Sequence, residues 1–295
     1  MNKVNNTYIN GSFQKSDSIS YLDLINPSDE EIYGVLECTS VDDLEKAIHA
    51  AFIAQSVCMN LSIKERKNIL SQILTGIVKR REEIAEMITL EMGAPINLSK
   101  NAHIQMGIDH LENTIDVLDE YKFESNENGY KILKMPIGVA ALITPWNWPL
   151  NQTLTKISSA IAAGCAIVMK PSEYCAFSSK IIAEIINASD LPPGGFNMVN
   201  GLGADLGPII SQHNLVDMIS FTGSTEVGGL FMKYSGESNL KTIGLEMGGK
   251  SPFIVLEDAK ITDDLIDNAI NSAFWNGGQN CSANMRQIIH SKVKD

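Results

Sequence analysis

Cys281 lies in WNGGQNCSANMR, a polar stretch with no second cysteine near it. An unpaired thiol in such a setting is a candidate nucleophile once it ionises. No histidine stands close by in sequence, so a papain-like Cys/His arrangement is not indicated. Asn147 sits in TPWNWP between two tryptophans and two prolines. The prolines fix the local backbone and would hold that amide in one orientation, although the same stretch would also serve as a structural turn. In KPSE, Lys170 and Glu173 could hydrogen-bond ribose hydroxyls or cap the helix that follows. TGSTEVGG reads as a Gly-rich turn into a helix whose free amides could hold a pyrophosphate, without matching G-x-G-x-x-G.

GLEMGGKS, residues 244–251, fits the nucleotide-phosphate loop pattern G-x-x-x-x-G-K-[ST]. Such a loop should follow a buried strand and open a helix. Here only a weak KTI precedes it, and PFIVL after Lys250-Ser251 favours a strand. Glu246 would also put a carboxylate where phosphates should sit. A P-loop nucleotidase is therefore a disfavoured alternative.

The elements that must position these residues change character along the chain. The first third reads as helical. Ser40 can cap VDDLEKAIHAAF, Ser62–Glu65 forms a capping box before a run ending near Met92-Gly93, and Ile104, Ile108, Leu111, Ile115 and Leu118 share one helical face. Asn128-Gly129 marks a hairpin in YKFESNENGYKILKMP. From Val139 onward, the apolar strands VAALI, AIVMK, FNMV and DMISF alternate with helices over 150–163, 178–188, near 206–211 and from Ser224. That alternation predicts an α/β fold with a doubly wound parallel sheet, which binds ligands beyond the carboxyl ends of its strands. SPFIVLED, 263–275 and RQIIH predict a further strand, helix and strand that begin a second unit.

Composition narrows the function classes. The chain has 295 residues, 44% hydrophobic and 20% charged, with 35 acidic against 23 basic side chains and a net charge of -12. That balance argues against a nucleic-acid partner. The five cysteines form no C-x-x-C pair, so neither a disulfide framework nor a metal site is expected. Cys165, inside apolar sequence, reads as an inert buried thiol. No stretch reads as a signal core or membrane span, and a cytoplasmic location without membrane contact is expected.

TPWNWP, KPSE, FTGSTEVG, LEMGGKSP and GQNCSA occur in the order and at about the spacing of the aldehyde dehydrogenase superfamily, which the chain resembles along nearly its whole length. The resemblance implies a Rossmann-like dinucleotide-binding domain over 1–119 and 138–246, an oligomerisation hairpin over 120–137, and an incomplete catalytic domain over 247–295. It implies NAD(P)-dependent oxidation of an aldehyde to a carboxylic acid. Cys281 would attack the aldehyde, Asn147 would help form an oxyanion hole, Glu246 would activate water, and Lys156 would relay a proton. A preorganised oxyanion donor is typically worth about 3 kcal/mol.

On the cofactor side the resemblance assigns Lys170 and Glu173 to the adenosine ribose, Trp146 and Ser224 to the phosphates, and Gly223 to the nicotinamide side. Thr144, Pro145, Ser172 and Gly203 are implied as further contacts, as are Phe221, Thr222, Val227 and Gly248. Glu173 suits a free 2′-hydroxyl, which favours NAD while leaving NADP open. The resemblance further implies a homodimer or homotetramer. The family's chains continue well beyond this point, with a glutamate that holds the nicotinamide ribose. The chain is therefore expected to be an N-terminal fragment, inactive alone. A non-catalytic remnant that binds cofactor or a subunit is the other alternative.

Overall fold

The computed structural model describes residues 2–5, 7–15 and 20–294. Its main sheet has seven strands: β1 (Tyr8–Ile9), β2 (Ser12–Phe13), β3 (Ala140–Ile143), β4 (Ile167–Lys170), β5 (Phe196–Met198), β6 (Met218–Gly223) and β7 (Thr242–Met247), in the order β7-β6-β3-β4-β5-β1-β2. The first five in that order are parallel, and the β1–β2 hairpin adds antiparallel to β5. Four of the parallel strands are those predicted. The fifth, β7, runs through the GLEM of GLEMGGKS, where only KTI had a strand signal. β7 is an edge strand whose one neighbour is β6, and pairing with β6 along six residues overrides the weak local propensity.

Among the described residues, nine longer helices cover the sheet and extend beyond it. α1 (Val41–Cys58), α2 (Ile63–Lys79), α3 (Arg81–Met92) and α4 (Ile104–Glu120) precede β3. α5 (Pro149–Ala163), α6 (Ala176–Asn187), α7 (Gly203–Gln212) and α8 (Thr225–Gly236) alternate with the strands, and α9 (Asp263–Phe274) follows β7. Ser40 and Ser62 cap α1 and α2 as predicted, the latter with Glu65 in a capping box. The run expected from Ser62 to Met92 is broken into α2 and α3 at Arg80, whose φ of -104° is not helical. Gly93 ends α3 in the left-handed region.

Alternation along the strands sends side chains to two cores. Ala140, Leu142, Ile167, Met169 and Phe196 pack with α2–α6, while Ala141, Ile143, Val168, Ile219 and Phe221 pack with α1, α7 and α8. The hairpin Glu124–Glu127/Tyr130–Leu133 turns at Asn128-Gly129 with both φ positive, as that dipeptide predicts. Beyond β7, Pro252–Val255 and Arg286–Ile289 form a separate parallel pair with α9 between them in sequence. Among the described residues no helix is long and apolar enough to cross a membrane.

Candidate functional site

β3 and β6 are neighbours, but the chain leaves them in opposite directions across the sheet, toward β4 and toward β7. Their outgoing loops diverge at that switch point and open a crevice at the carboxyl ends of the strands. The β3 loop carries Thr144–Trp148. β6 ends in Thr222-Gly223, and Ser224 caps α8 by accepting from Val227 N–H at 3.2 Å. The remaining first-turn N–H groups of α8 are free to face a ligand.

One cavity of about 420 Å³ takes in Ser224. Pro145, Trp146, Asn147, Thr222, Gly223, Ser224, Gly248 and Cys281, all singled out from sequence, line it with Gln152, Met247 and Gln279. Cys281 is the one exposed thiol; Cys38, Cys58, Cys165 and Cys175 are buried. Thr222 Oγ1 is buried with no hydrogen-bond partner. An unpaired buried hydroxyl in a cavity wall suits a ligand's polar group.

The turn that delivers Cys281 follows from the residues preceding it. Asn276, Gly277 and Gly278 have φ of 57°, 65° and 74°, a run that only glycine and asparagine adopt readily. The chain thereby reverses after α9 and sets Gln279–Cys281 against the β3 loop. Asn147 Nδ2 donates to the Gln279 carbonyl at 2.9 Å, which orients the amide and leaves its second N–H available. Asn276 Nδ2 donates to the Asn147 carbonyl at 2.9 Å, and Asn276 Oδ1 lies 3.0 Å from His103 Nε2. Sequence reasoning missed His103, Asn276 and Gln279. The N-G-G triplet was the available signal for the turn; His103 had none.

A second cavity, about 430 Å³, takes in Val227 in the first turn of α8. Lys170, Glu173, Gly203, Phe221 and Val227 line it, again as singled out, together with apolar residues of α7 and α8. Lys170 is 3% exposed, and its Nζ reaches Glu173 Oε2 at 3.4 Å and the Pro171 carbonyl at 3.1 Å. Burial lowers the Lys170 pKa and the Glu173 carboxylate opposes that shift. A Cβ built on Gly203 meets nothing within 4 Å, so the mouth there is open.

Four predicted residues line neither cavity. Thr144 N–H donates to the Lys170 carbonyl at 3.2 Å and ties the starts of two loops together. Ser172 Oγ accepts from Tyr174 N–H and caps a short 3-10 turn. Lys156, on α5, donates to Ser220 Oγ at 2.7 Å; burial lowers its pKa to about 8, with Glu246 opposing. Glu246, which the resemblance casts as the group that activates water, lies within β7, paired with Thr222, on the sheet face that Ser220 and Lys156 share. Strand register sets its direction. After Lys250-Ser251 comes the strand Pro252–Val255, so no helix N-terminus stands there for a phosphate.

Two cavities separated by a helix N-terminus match the outline of a dinucleotide, with two nucleosides flanking a pyrophosphate. The orphaned Thr222 hydroxyl at one end and the Lys170–Glu173 pair at the other give both ends polar anchors. Among the described residues no three His, Cys, Asp or Glu gather as metal ligands.

Comparison with known proteins bears on this arrangement. The family model described as "Aldehyde dehydrogenase family" matches residues 13–295. A Staphylococcus saprophyticus protein assigned as an aldehyde dehydrogenase is 41% identical over all 295 residues, which span 62% of that protein. The crystal structure of an aldehyde dehydrogenase from Bartonella henselae superposes with a TM-score of 0.95 at 38% identity, over 99% of this chain and 62% of that one. Aldehyde dehydrogenase C of Pseudomonas syringae, solved as a variant with NAD+ and octanal, gives 0.94 at 37% identity, over 98% and 59%. The chain thus spans about three fifths of the length of these relatives.

Proposed function

The chain belongs to the aldehyde dehydrogenase family, and from that premise we propose that it supplies the nucleophile, the oxyanion donor and the dinucleotide crevice for NAD-dependent oxidation of an aldehyde to a carboxylic acid. The observation that carries this reading is the convergence of Cys281, the Asn147 amide and the unpartnered Thr222 hydroxyl on one cavity at the switch point.

Cys281, as thiolate, attacks the carbonyl carbon and forms a thiohemiacetal. Asn147 has one N–H engaged by Gln279 and turns the other toward the carbonyl oxygen as it gains charge, together with the Cys281 backbone N–H. A nicotinamide cofactor held by the Ser224 turn and the Lys170–Glu173 pair would supply the acceptor for the hydride lost from that carbon. The thioester left on Cys281 is opened by water, with Glu246 as general base, which releases the acid and restores the thiol. Lys156, whose pKa of about 8 lets it exchange a proton near neutrality, links Glu246 to the interior through Ser220. Lys170 and Glu173 hold the adenosine ribose, and the carboxylate of Glu173 disfavours a 2′-phosphate, so NAD is preferred to NADP. Thr144 and Ser172 shape the loops without lining the cavities. The aldehyde complexed with the Pseudomonas syringae enzyme makes medium-chain aliphatic aldehydes the first to try.

Residues 1–119 and 138–246 would serve as the cofactor domain, 120–137 as the element that pairs subunits into a homodimer or homotetramer, and 247–295 as part of the catalytic domain. The test is mass-resolved alkylation of Cys281 by iodoacetamide with and without NAD+. We expect NAD+ to change the Cys281 rate at least severalfold and Glu173→Ala to weaken that response. A Cys281 rate indifferent to millimolar NAD+ overturns the reading.

A further inference from the structure

A buried polar chain lies beneath the thiol-bearing turn. Asn276, only 5% exposed, donates from Nδ2 to the carbonyls of Asn147 at 2.9 Å and Gln279 at 3.3 Å. Carbonyl oxygens only accept, so the amide orientation is determined: its NH2 faces them and Oδ1 faces His103 Nε2 at 3.0 Å. His103 must therefore carry its proton on Nε2. Its Nδ1 is buried with no partner, a place that suits a bare ring nitrogen better than a second N–H. Burial accordingly lowers the pKa to about 4, and the ring is neutral near pH 7.

The imidazole is fully buried and stacks on Trp148, with ring centres 4.1 Å apart and planes at 26°. Trp148 follows Asn147 directly and touches Trp275, which precedes Asn276, at 4.9 Å. His103 comes from the last residue of a π-helical turn, Ser99–His103, where α4 begins. Such turns insert one residue and redirect the side chain that follows them. Three distant segments thus meet in one contact, and the Cys281 turn has little apolar anchorage of its own.

We propose that His103 is a positioning residue that, through Asn276, clamps the Asn147 and Gln279 carbonyls and so fixes where the Asn147 amide faces Cys281. It touches neither substrate nor cofactor. Its consequence for catalysis rests on the roles proposed above for Asn147 and Cys281, whereas the clamp can be measured without turnover.

The experiment is amide hydrogen exchange of the 275–283 peptide, read by mass spectrometry. His103→Phe keeps a flat ring on Trp148 and removes the donor; His103→Gln restores a donor. Loss of one buried hydrogen bond should speed exchange of that peptide about tenfold in His103→Phe, with His103→Gln recovering most of it. Exchange across α5 should stay unchanged in both. Asn276→Asp, which keeps the acceptor and loses both donors, should loosen the same peptide and serves if His103→Phe does not fold. The proposal is overturned if His103→Phe or Asn276→Asp matches the wild-type peptide, or if His103→Gln is as loose as His103→Phe. Equal loosening of α5 also overturns it, because His103 would then be an ordinary core residue. Wild-type Cys281 alkylation that ignores NAD+ would sink the functional reading and leave this exchange result standing.

Discussion

β3 and β4 have no exposed or half-buried residue, whereas in the pair Pro252–Val255 and Arg286–Ile289 only Val255 is buried and α9 buries none. The two regions meet at the candidate site and are held by different forces. On the sheet side, Asn147 and Thr222 stand at the ends of strands fixed by two apolar cores. On the other side, Cys281 hangs from a turn fixed by polar contacts: Asn276 to Asn147, Asn276 to His103, and Asn147 to Gln279. Apolar burial tolerates many near-equivalent packings, while hydrogen bonds demand one geometry. The comparison suggests that the sheet supplies stability and the polar clamp supplies alignment.

The largest test of this division is in the sheet region. Ile157→Ala, at a fully buried position on α5, should cost about 3 kcal/mol in urea unfolding. Ile270→Ala, at a position half exposed on α9, should cost less than about 1 kcal/mol. Similar costs for the two would erase the contrast.

Acid sensitivity comes next. His103 has a folded pKa of about 4 against an ordinary value of 6.5, so between these the unfolded chain binds the proton and the folded chain does not. Stability should therefore be complete above pH 6.5 and fall as the pH drops toward 4, by about 3 kcal/mol at most. His103→Phe should flatten that part of the pH profile in denaturant titrations. An unchanged profile would mean that the ring is not held neutral.

A smaller effect should follow from backbone crowding at the β3 entrance. Gly138 has φ of 120°, and a Cβ there would lie 2.0 Å from Asp217 Oδ2, which accepts from Val139 N–H at 2.8 Å. Gly138→Ala should cost about 2 kcal/mol, measured by thermal unfolding. The smallest effect sharpens the contact between the two regions. The Lys156 amine should titrate near pH 8, below the ordinary lysine value, in NMR of carbon-13-methylated protein. Glu246→Gln should lower it further, because the carboxylate favours the charged amine.

Much of the sheet side was legible in the sequence, since strand patterning and polar stretches at strand ends are local signals. VAALI, AIVMK, FNMV and DMISF became strands, and KPSE and TGSTEVGG fell at the crevice. β7 was not legible, because its residues become a strand through pairing with β6. The direction of the Glu246 side chain likewise came from register. The Ser62–Met92 run was read as continuous because Arg80 is no helix breaker in composition; in the fold its guanidinium bridges Glu83 and Glu184, each at 2.7 Å.

The sequence by itself determined the residue types that can react and the elements that carry them: an unpaired thiol in a polar stretch, an amide between prolines, and strands that alternate with helices. Periodicity and backbone preference are properties of a few neighbouring residues, so they are readable without a fold. Tertiary structure alone decided that Asn147 and Cys281, more than a hundred residues apart in the chain, share one cavity. It alone decided that the Glu246 carboxylate acts on the buried Lys156 amine, and that a histidine on a distant π-helical turn meets Asn276 in the Cys281 turn. Those relations depend on register, crossing geometry and burial, which arise only when segments far apart in sequence exclude water from one another.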